Sequence, residues 1–205
     1  MDFFTQALSY FQKGGVVMYP LLLCSVAAVM IAVERYIYYR TADSGSAFAE
    51  EFCDLLDRGE WDEAYSLAIK TKGEAAAFAV LTMDKGGEKL ERIDAFAGSK
   101  AERALDRLEE YLNYLGVIIM LAPVLGLLGT ITGMISSFNS LDLRVENPIA
   151  ITAGVGEALI TTVFGLCIST IAICIHTYFG QRLKKATVDL EEIANTLVEV
   201  ICKRK

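Results

Sequence analysis

Three long apolar runs constrain this chain more than any other feature of its sequence. Residues 16–33 and 115–138 carry no charged side chain, and residues 149–179 carry a single carboxylate, Glu157. A helix needs about 20 apolar residues to cross the ~30 Å hydrocarbon core of a bilayer. Because backbone polar groups inside a bilayer must be satisfied within the protein, each run is predicted to form a transmembrane helix.

The first run could alternatively be a secretory signal peptide. A signal peptide has a shorter apolar core that is followed by a cleavage site, whereas this run continues into Glu34, Arg35, Tyr36 and Arg40. We therefore expect a retained first span. The tyrosines at its end are typical of a membrane interface.

Composition narrows the classes of function. The 205 residues are 54% hydrophobic with a net charge of −7, which suits several spans plus a polar portion and argues against a nucleic-acid partner. The five cysteines are scattered without metal-ligand spacing, so free thiols are expected. No nucleophile–base pair, phosphate loop or metal motif is present, so we expect no catalytic residues, no metal, no cofactor and no enzymatic activity.

Lysine and arginine residues predict the orientation of the spans. They cluster after the first run, before the second and after the third, while the opposite ends offer only Lys13 and Arg144. The positive-inside rule then places the N-terminus outside and the C-terminus in the cytoplasm. The predicted order is an external segment (1–15), transmembrane helix 1 (16–39), a cytoplasmic helical domain (40–114), transmembrane helix 2 (115–138), an external loop (139–148), transmembrane helix 3 (149–180) and a cytoplasmic C-terminal helix (181–205).

The cytoplasmic part has helical periodicity throughout. Three short helices are predicted at 48–57, 61–72 and 74–85. From Leu90 to Leu115 apolar residues recur at helical spacing, so one long helix is expected to run into the second span, and a similar stripe extends the third. The predicted fold is an all-α integral membrane protein with three transmembrane helices, two of them extended into long cytoplasmic helices, plus a small helical cytoplasmic domain.

The second and third spans each carry a stripe of small and hydroxyl residues. At 100° per residue, the stripe of the second span falls within about 60° and comprises Gly126, Thr130, Gly133 and Ser137. The stripe of the third comprises Ala158, Thr162, Gly165, Ser169, Ala172 and His176. Such stripes either pack helices closely, as the Gly129–Gly133 spacing suggests, or line a wet passage. Pro123, inside the second span, is expected to bend that helix or to free a carbonyl.

Glu157 favours a passage for ions or protons. A charge in the hydrocarbon costs roughly 3 kcal/mol even on lenient scales, so it is seldom kept there without a use. It lies off the centre of its stripe, closer to Thr161, either inside the hydrocarbon or near the mouth of the span. The candidate path residues are Thr130, Glu157, Thr162, Thr161 and Ser137, and the candidate packing residues are Gly126, Gly129, Gly133 and Gly165.

Two motifs carry a resemblance to a known family. Residues 121–134 (LAPVLGLLGTITGM) and 156–166 (GEALITTVFGL) resemble the second-span and third-span motifs of the ExbB/TolQ/MotA proton-channel family. The order of spans, with Glu34–Arg35 where the cytoplasmic domain begins, is similar to that of the ExbB/TolQ branch. The resemblance covers essentially the whole chain.

The resemblance implies a pentameric ring around the transmembrane helices of an ExbD/TolR-like single-span partner, whose aspartate is the main proton carrier. Thr130 and Thr162 match the family's pore threonines, and Glu157 matches its third-span glutamate. The work would go to a TonB-like or TolA-like protein at the outer membrane. Ser169-Thr170-Ile171 stands where the family often has Ala-Ile-Pro, which leaves the client system open. The alternative function is a passive membrane scaffold that holds a partner without conducting ions.

Overall fold

The computed structural model describes residues 14–85, 90–141 and 148–204, apart from some side chains within helices, that of Glu157 among them. Residues 1–13 of the predicted external N-terminal segment and residues 142–147 of the predicted external loop therefore lie outside the described residues, while residues 139–141 and 148 of that loop are helical. All regular elements in these ranges are helices. They are α1 (Met18–Ala42), α2 (Ser46–Asp57), α3 (Trp61–Lys70), α4 (Glu74–Met83), α5 (Leu90–Glu109), α6 (Leu112–Leu141) and α7 (Pro148–Arg204).

The predicted fold class is confirmed. Three stretches, within Met18–Asp57, Ala95–Phe138 and Gly154–Lys203, contain helix that is long and apolar enough to cross a membrane. The short helices α2, α3 and α4 match their predicted bounds to within two residues at each end. Gly59 (φ 79°) lies in the break after α2, in the left-handed region that glycine adopts without steric cost.

The chain forms two compact units. We call Met1–Ala32 with Leu112–Thr177 the apolar unit, and Val33–Tyr111 with Tyr178–Lys205 the polar unit. Helices α1 and α7 contribute residues to both units.

The apolar unit has a narrow core of mostly small side chains. One cluster joins Ala28, Leu115, Ile118 and Ala172 from α1, α6 and α7. A second joins Met18, Leu21 and Ala122. Larger apolar side chains on all three helices are exposed instead, such as Leu23, Met120 and Val163. Outward apolar surface of this kind suits helices whose surroundings are lipid or other apolar helices.

The polar unit has a core of large side chains. Consecutive helices α2 to α5 pack against each other. Phe52 and Leu56 of α2 and Leu190, Ile193 and Leu197 of α7 are each at most 1% exposed. The predicted apolar stripe after the third span is therefore a buried core face of α7.

One detail of the predicted long helices is wrong. The helix expected to run unbroken from Leu90 into the second span ends at Glu109 and resumes at Leu112. Tyr111 between them has a φ of 67°, a conformation that costs a residue with a Cβ roughly 1–2 kcal/mol. The physical reason lies on α1, because the carbonyls of Arg107 and Leu108 accept hydrogen bonds from Arg35 and Tyr39.

Candidate functional site

Helices α6 and α7 meet through glycines in the apolar unit. A Cβ added to Gly126 would lie 3.1 Å from the Cα of Thr162, and one added to Gly133 would lie 3.0 Å from the Cβ of Ala158. A Cβ on Gly165 would lie 3.1 Å from the Cα of Gly126. Small residues of this kind allow membrane helices to approach closely. An added Cβ would make an unusually tight contact at all three positions, and at Gly165 it would also lie 2.5 Å from the carbonyl oxygen of Ala122.

Gly129 occupies the same helix–helix contact. A Cβ added there would lie 2.7 Å from the Cβ of Thr161. All four glycines proposed from the sequence for helix packing are therefore at the surface where α6 faces α7.

Two hydroxyl groups of α7 bond to the backbone of α6 across this contact. Thr162 Oγ1 donates to the carbonyl of Gly126 at 3.0 Å. Ser169 Oγ donates to the carbonyl of Ile119 at 2.9 Å. In a helix that carbonyl would accept from the amide of residue 123, but Pro123 has no N–H. The proline therefore frees a carbonyl, one of the two effects expected from the sequence, and Ser169 satisfies it.

Two of the candidate path residues are enclosed within the chain. Thr161 is 0% exposed, and its hydroxyl donates to the carbonyl of Gly14 at 3.0 Å. Ser137 is 5% exposed and donates to the carbonyl of Gly133 at 2.9 Å. Both hydroxyls belong to the packed interior of the apolar unit.

Thr130 and Thr162 are only partly buried. Thr130 lies one turn beyond Gly126 on α6, and its hydroxyl donates to the carbonyl of Leu127 at 2.7 Å. Residues four apart share a helix face, so Thr130 continues the row that begins where Thr162 meets Gly126. Glu157 lies in α7, four residues before Thr161, but its side chain is outside the described part of the structure.

Hydroxyls in this arrangement can accept and donate hydrogen bonds in turn, as passage of water or protons requires. In the described part of the chain, every buried side-chain nitrogen or oxygen has a hydrogen-bond partner. The same residues hold no group of three or more His, Cys, Asp or Glu side chains placed to bind a metal ion.

Arg35 in the polar unit is the main residue that sequence reasoning underestimated. Arg35 forms an ion pair with Glu34, and Arg35 Nη2 donates to Glu34 Oε1 at 2.8 Å. Arg35 is nevertheless only 1% exposed, and its guanidinium lies 4.7 Å from the ring centroid of Tyr38 and 5.1 Å from that of Tyr111. The sequence could have indicated this environment, because Tyr38 and Tyr39 follow Arg35 at i+3 and i+4 and so lie on the same helix face.

The polar unit also contains a polar cavity of about 330 Å³. Two of its four charged residues form an ion pair, since Arg182 Nη1 lies 3.2 Å from Asp43 Oδ2. Burial raises the pKa of the Asp189 carboxyl, although a hydrogen bond from Ser46 acts in the opposite direction. The other lining residues are Gly45, Tyr178, Gln181 and Lys185.

Fold and site together define the class of an α-helical integral membrane protein in which two spans pack through glycines and bond through hydroxyl groups. Comparison with known proteins gives the family: the profile of the MotA/TolQ/ExbB proton channel family matches residues 69–192. The chain belongs to this family, which confirms the resemblance seen in the two motifs.

Individual relatives are similar over most of the chain. The biopolymer transport protein ExbB-like 1 of Synechocystis sp. is 33% identical over 176 residues, which cover 82% of this chain and 68% of the relative. Biopolymer transport protein ExbB of Salmonella typhimurium is 25% identical over 190 residues, with coverages of 87% and 77%. A chain in the solved structure of C. jejuni MotAB has 20% identity and a TM-score of 0.60, covering 92% of this chain and 78% of that one, which shows a shared fold.

Proposed function

We propose that this chain is a stator subunit of a proton channel. With an ExbD/TolR-like single-span partner it converts the proton motive force into mechanical work for outer-membrane transport or envelope maintenance. The observation that carries the proposal is the α6–α7 contact in a chain of this family. There Thr162 meets Gly126, and Thr130 continues the row one turn further along a helix without charged side chains.

Each candidate residue has a place in the proposed path. Thr130 and Thr162 line it, because their side chains are only partly buried. Glu157 tunes or gates it, or braces the ring, while the principal proton carrier is on the partner. We place Thr161 and Ser137 in the wall of the path, because both hydroxyls are buried and bonded inside the chain.

The assembly we propose is a homo-oligomer, pentameric as the resemblance implies, surrounded by lipid and enclosing the partner's helices. All three spans expose large apolar side chains that such neighbours would cover. The location is the bacterial inner membrane with the N-terminus outside and the C-terminus in the cytoplasm, supported by the positions of lysine and arginine. A TonB-like or TolA-like protein would receive the work. No step in this cycle calls for an enzyme active site, a metal or a cofactor.

Proton uptake into vesicles that contain this chain and its partner tests the proposal. Thr130→Leu and Thr162→Leu are expected to abolish uptake while the ring still assembles, because each removes a hydroxyl from the path. Thr132→Leu and Thr170→Leu are matched controls on the same helices, since both hydroxyls bond only to their own helix in the described contacts and both side chains are exposed. Uptake that survives both path substitutions would exclude the pore assignment.

The passive scaffold is the second candidate, and a specific observation favours it. The hydroxyls of Thr162, Ser169 and Thr161 all bond to backbone carbonyls within the chain, as helix packing alone would produce. A scaffold predicts no proton uptake, no effect of dissipating the gradient, and a loss of complex stability in Glu157→Ala. The vesicle assay, run with and without an uncoupler, separates the two functions.

A further inference from the structure

The break between α5 and α6 is unexpected from its local sequence. Residues 107–114 (RLEEYLNY) contain neither glycine nor proline. The apolar residues Ala104, Leu108, Leu112 and Leu115 keep helical spacing through the break, and each is at most 6% exposed. Local sequence therefore favours a continuous helix, and the left-handed Tyr111 must be held by something outside the segment.

Side chains of α1 supply that restraint inside the polar unit. Arg35 Nη1 donates to the carbonyl of Arg107 at 2.9 Å and to that of Leu108 at 3.3 Å. The hydroxyl of Tyr39 donates to the carbonyl of Leu108 at 2.9 Å. In an unbroken helix the same two carbonyls would accept from the amides of residues 111 and 112. Arg35 and Tyr39 thus occupy the acceptors that continuation of the helix would use.

The two side chains that provide this restraint are buried. Arg35 is 1% exposed and Tyr39 is 2% exposed. The two nitrogens of Arg35 that do not reach the carbonyls, Nε and Nη2, both donate to Glu34, so the buried charge is neutralised. Hydrogen bonds from a charged donor are stronger than the amide bonds they replace. Backbone strain held by such contacts often marks a switch region.

We propose that Arg35, assisted by Tyr39, is a positioning residue that sets the equilibrium of a two-state junction. In one state Arg35 holds the carbonyls of Arg107 and Leu108, and Tyr111 is left-handed. In the other Arg35 is released, and Tyr111 takes a helical φ. The proposal does not depend on proton conduction, because it rests on contacts in the polar unit alone.

The φ angle of Tyr111 is the direct measure of this equilibrium. Glu110–Tyr111 is the only Glu-Tyr pair in the chain, so labelling the Glu carbonyl carbon and the Tyr nitrogen and Cα isolates one signal. Solid-state NMR of the full chain in lipid vesicles can then report the H–N–Cα–H torsion, which differs clearly between a φ near +67° and a helical φ near −63°.

Arg35→Gln is expected to raise the ratio of helical to left-handed Tyr111 about tenfold, the effect of losing a hydrogen bond from a charged group. Tyr39→Phe keeps the ring, removes one donor and should give a smaller shift in the same direction. Arg40→Gln changes an exposed arginine further along α1 and should leave φ unchanged. If the Arg35→Gln variant does not fold, the φ of Tyr111 in the Tyr39→Phe variant tests the proposal.

A second substitution separates positioning from general stability. Arg35→Gln combined with Tyr111→Gly should return residue 111 to positive φ, because glycine adopts that region without steric cost and weakens a continuous helix. In this variant the label is placed on Glu110 and on the glycine introduced after it, since Glu-Gly occurs nowhere else in the sequence. A positive φ that persists in both Arg35→Gln and Tyr39→Phe would overturn the proposal. So would a shift that Tyr111→Gly does not reverse, since Arg35 would then act on folding and not on the break.

Discussion

In the apolar unit, α6 and α7 approach each other through glycines and hydroxyl groups, whereas the interior of the polar unit is filled by large side chains such as Phe52 and Ile193. The difference follows from the surroundings that each unit is proposed to have. Water drives large apolar side chains together, but lipid does not, so helices in a membrane gain from close backbone contact and hydrogen bonds between helices. The same helix, α7, uses both means along its length.

The largest loss of stability is expected from truncating a buried side chain in the polar unit. Ile193→Ala is expected to destabilise the protein by about 3 kcal/mol, because Ile193 is 0% exposed and its loss leaves a cavity. Val188→Ala, on an exposed position of the same helix, should change stability by less than ~0.5 kcal/mol. Thermal unfolding of the purified protein measures both. Equal effects would mean that Ile193 does not belong to a packed core of the polar unit.

Adding volume should damage the apolar unit. Gly165→Leu is expected to cost roughly 2 kcal/mol, because a Cβ there would lie 2.5 Å from the carbonyl oxygen of Ala122. The matched control is Gly116→Leu on α6, where an added Cβ meets nothing within 4 Å. Size-exclusion profiles and melting temperatures in detergent should separate the two variants. A stable, monodisperse Gly165→Leu protein would show that the helix contact is not as close as described.

Breaking the bond between Ser169 and Ile119 should have a moderate effect. Ser169→Ala is expected to cost about 1 kcal/mol, the usual scale for a hydrogen bond between membrane helices. In a Pro123→Ala background the amide of residue 123 can satisfy the Ile119 carbonyl, so the same substitution should cost less. A double-mutant cycle on unfolding free energies measures this coupling. Strict additivity would mean that the proline and the serine are not linked.

The smallest effect is expected at Asp189 in the polar unit. Because burial raises its pKa, the folded state holds the proton more tightly than the unfolded state. Folded stability should therefore fall as pH rises from the ordinary carboxyl value of 3.8 through the raised one, and then level off. Asp189→Asn should flatten this decline and slightly raise the melting temperature at pH 7. Glu191→Gln, on an exposed position of the same helix, is the control in the same pH series.

Much of the fold could be read from the sequence because its signals are local. The length of the apolar runs and the 3.6-residue period gave the spans and the bounds of α2, α3 and α4. Gly126, Gly129 and Gly133 could be proposed as packing residues because their spacing depends only on position along one helix, and the structure places all three against α7. The break at Tyr111 could not be found this way, because the side chains that bond to the carbonyls before it are on α1, about 70 residues earlier.

The hydrogen-bond partners of the hydroxyl groups could not be predicted from the sequence either. The stripes were compatible with packing or with a wet passage, and only partner atoms distinguish these uses. The structure pairs Thr161 with Gly14 and Thr162 with Gly126, while Thr130 bonds within its own helix. Whether Thr130 and Thr162 line a path in the assembled ring stays a prediction.

Sequence by itself determined that this is a helical membrane protein of three spans and, through two short motifs, its family. These properties depend on the length, period and composition of single segments. Only the tertiary structure decided that Arg35 bonds to the Arg107 carbonyl near the end of α5, that Ser169 satisfies the carbonyl freed by Pro123, and that Thr161 is buried. Each of these contacts joins residues that are far apart in the sequence. They form only because the folded chain brings the two groups close together in space.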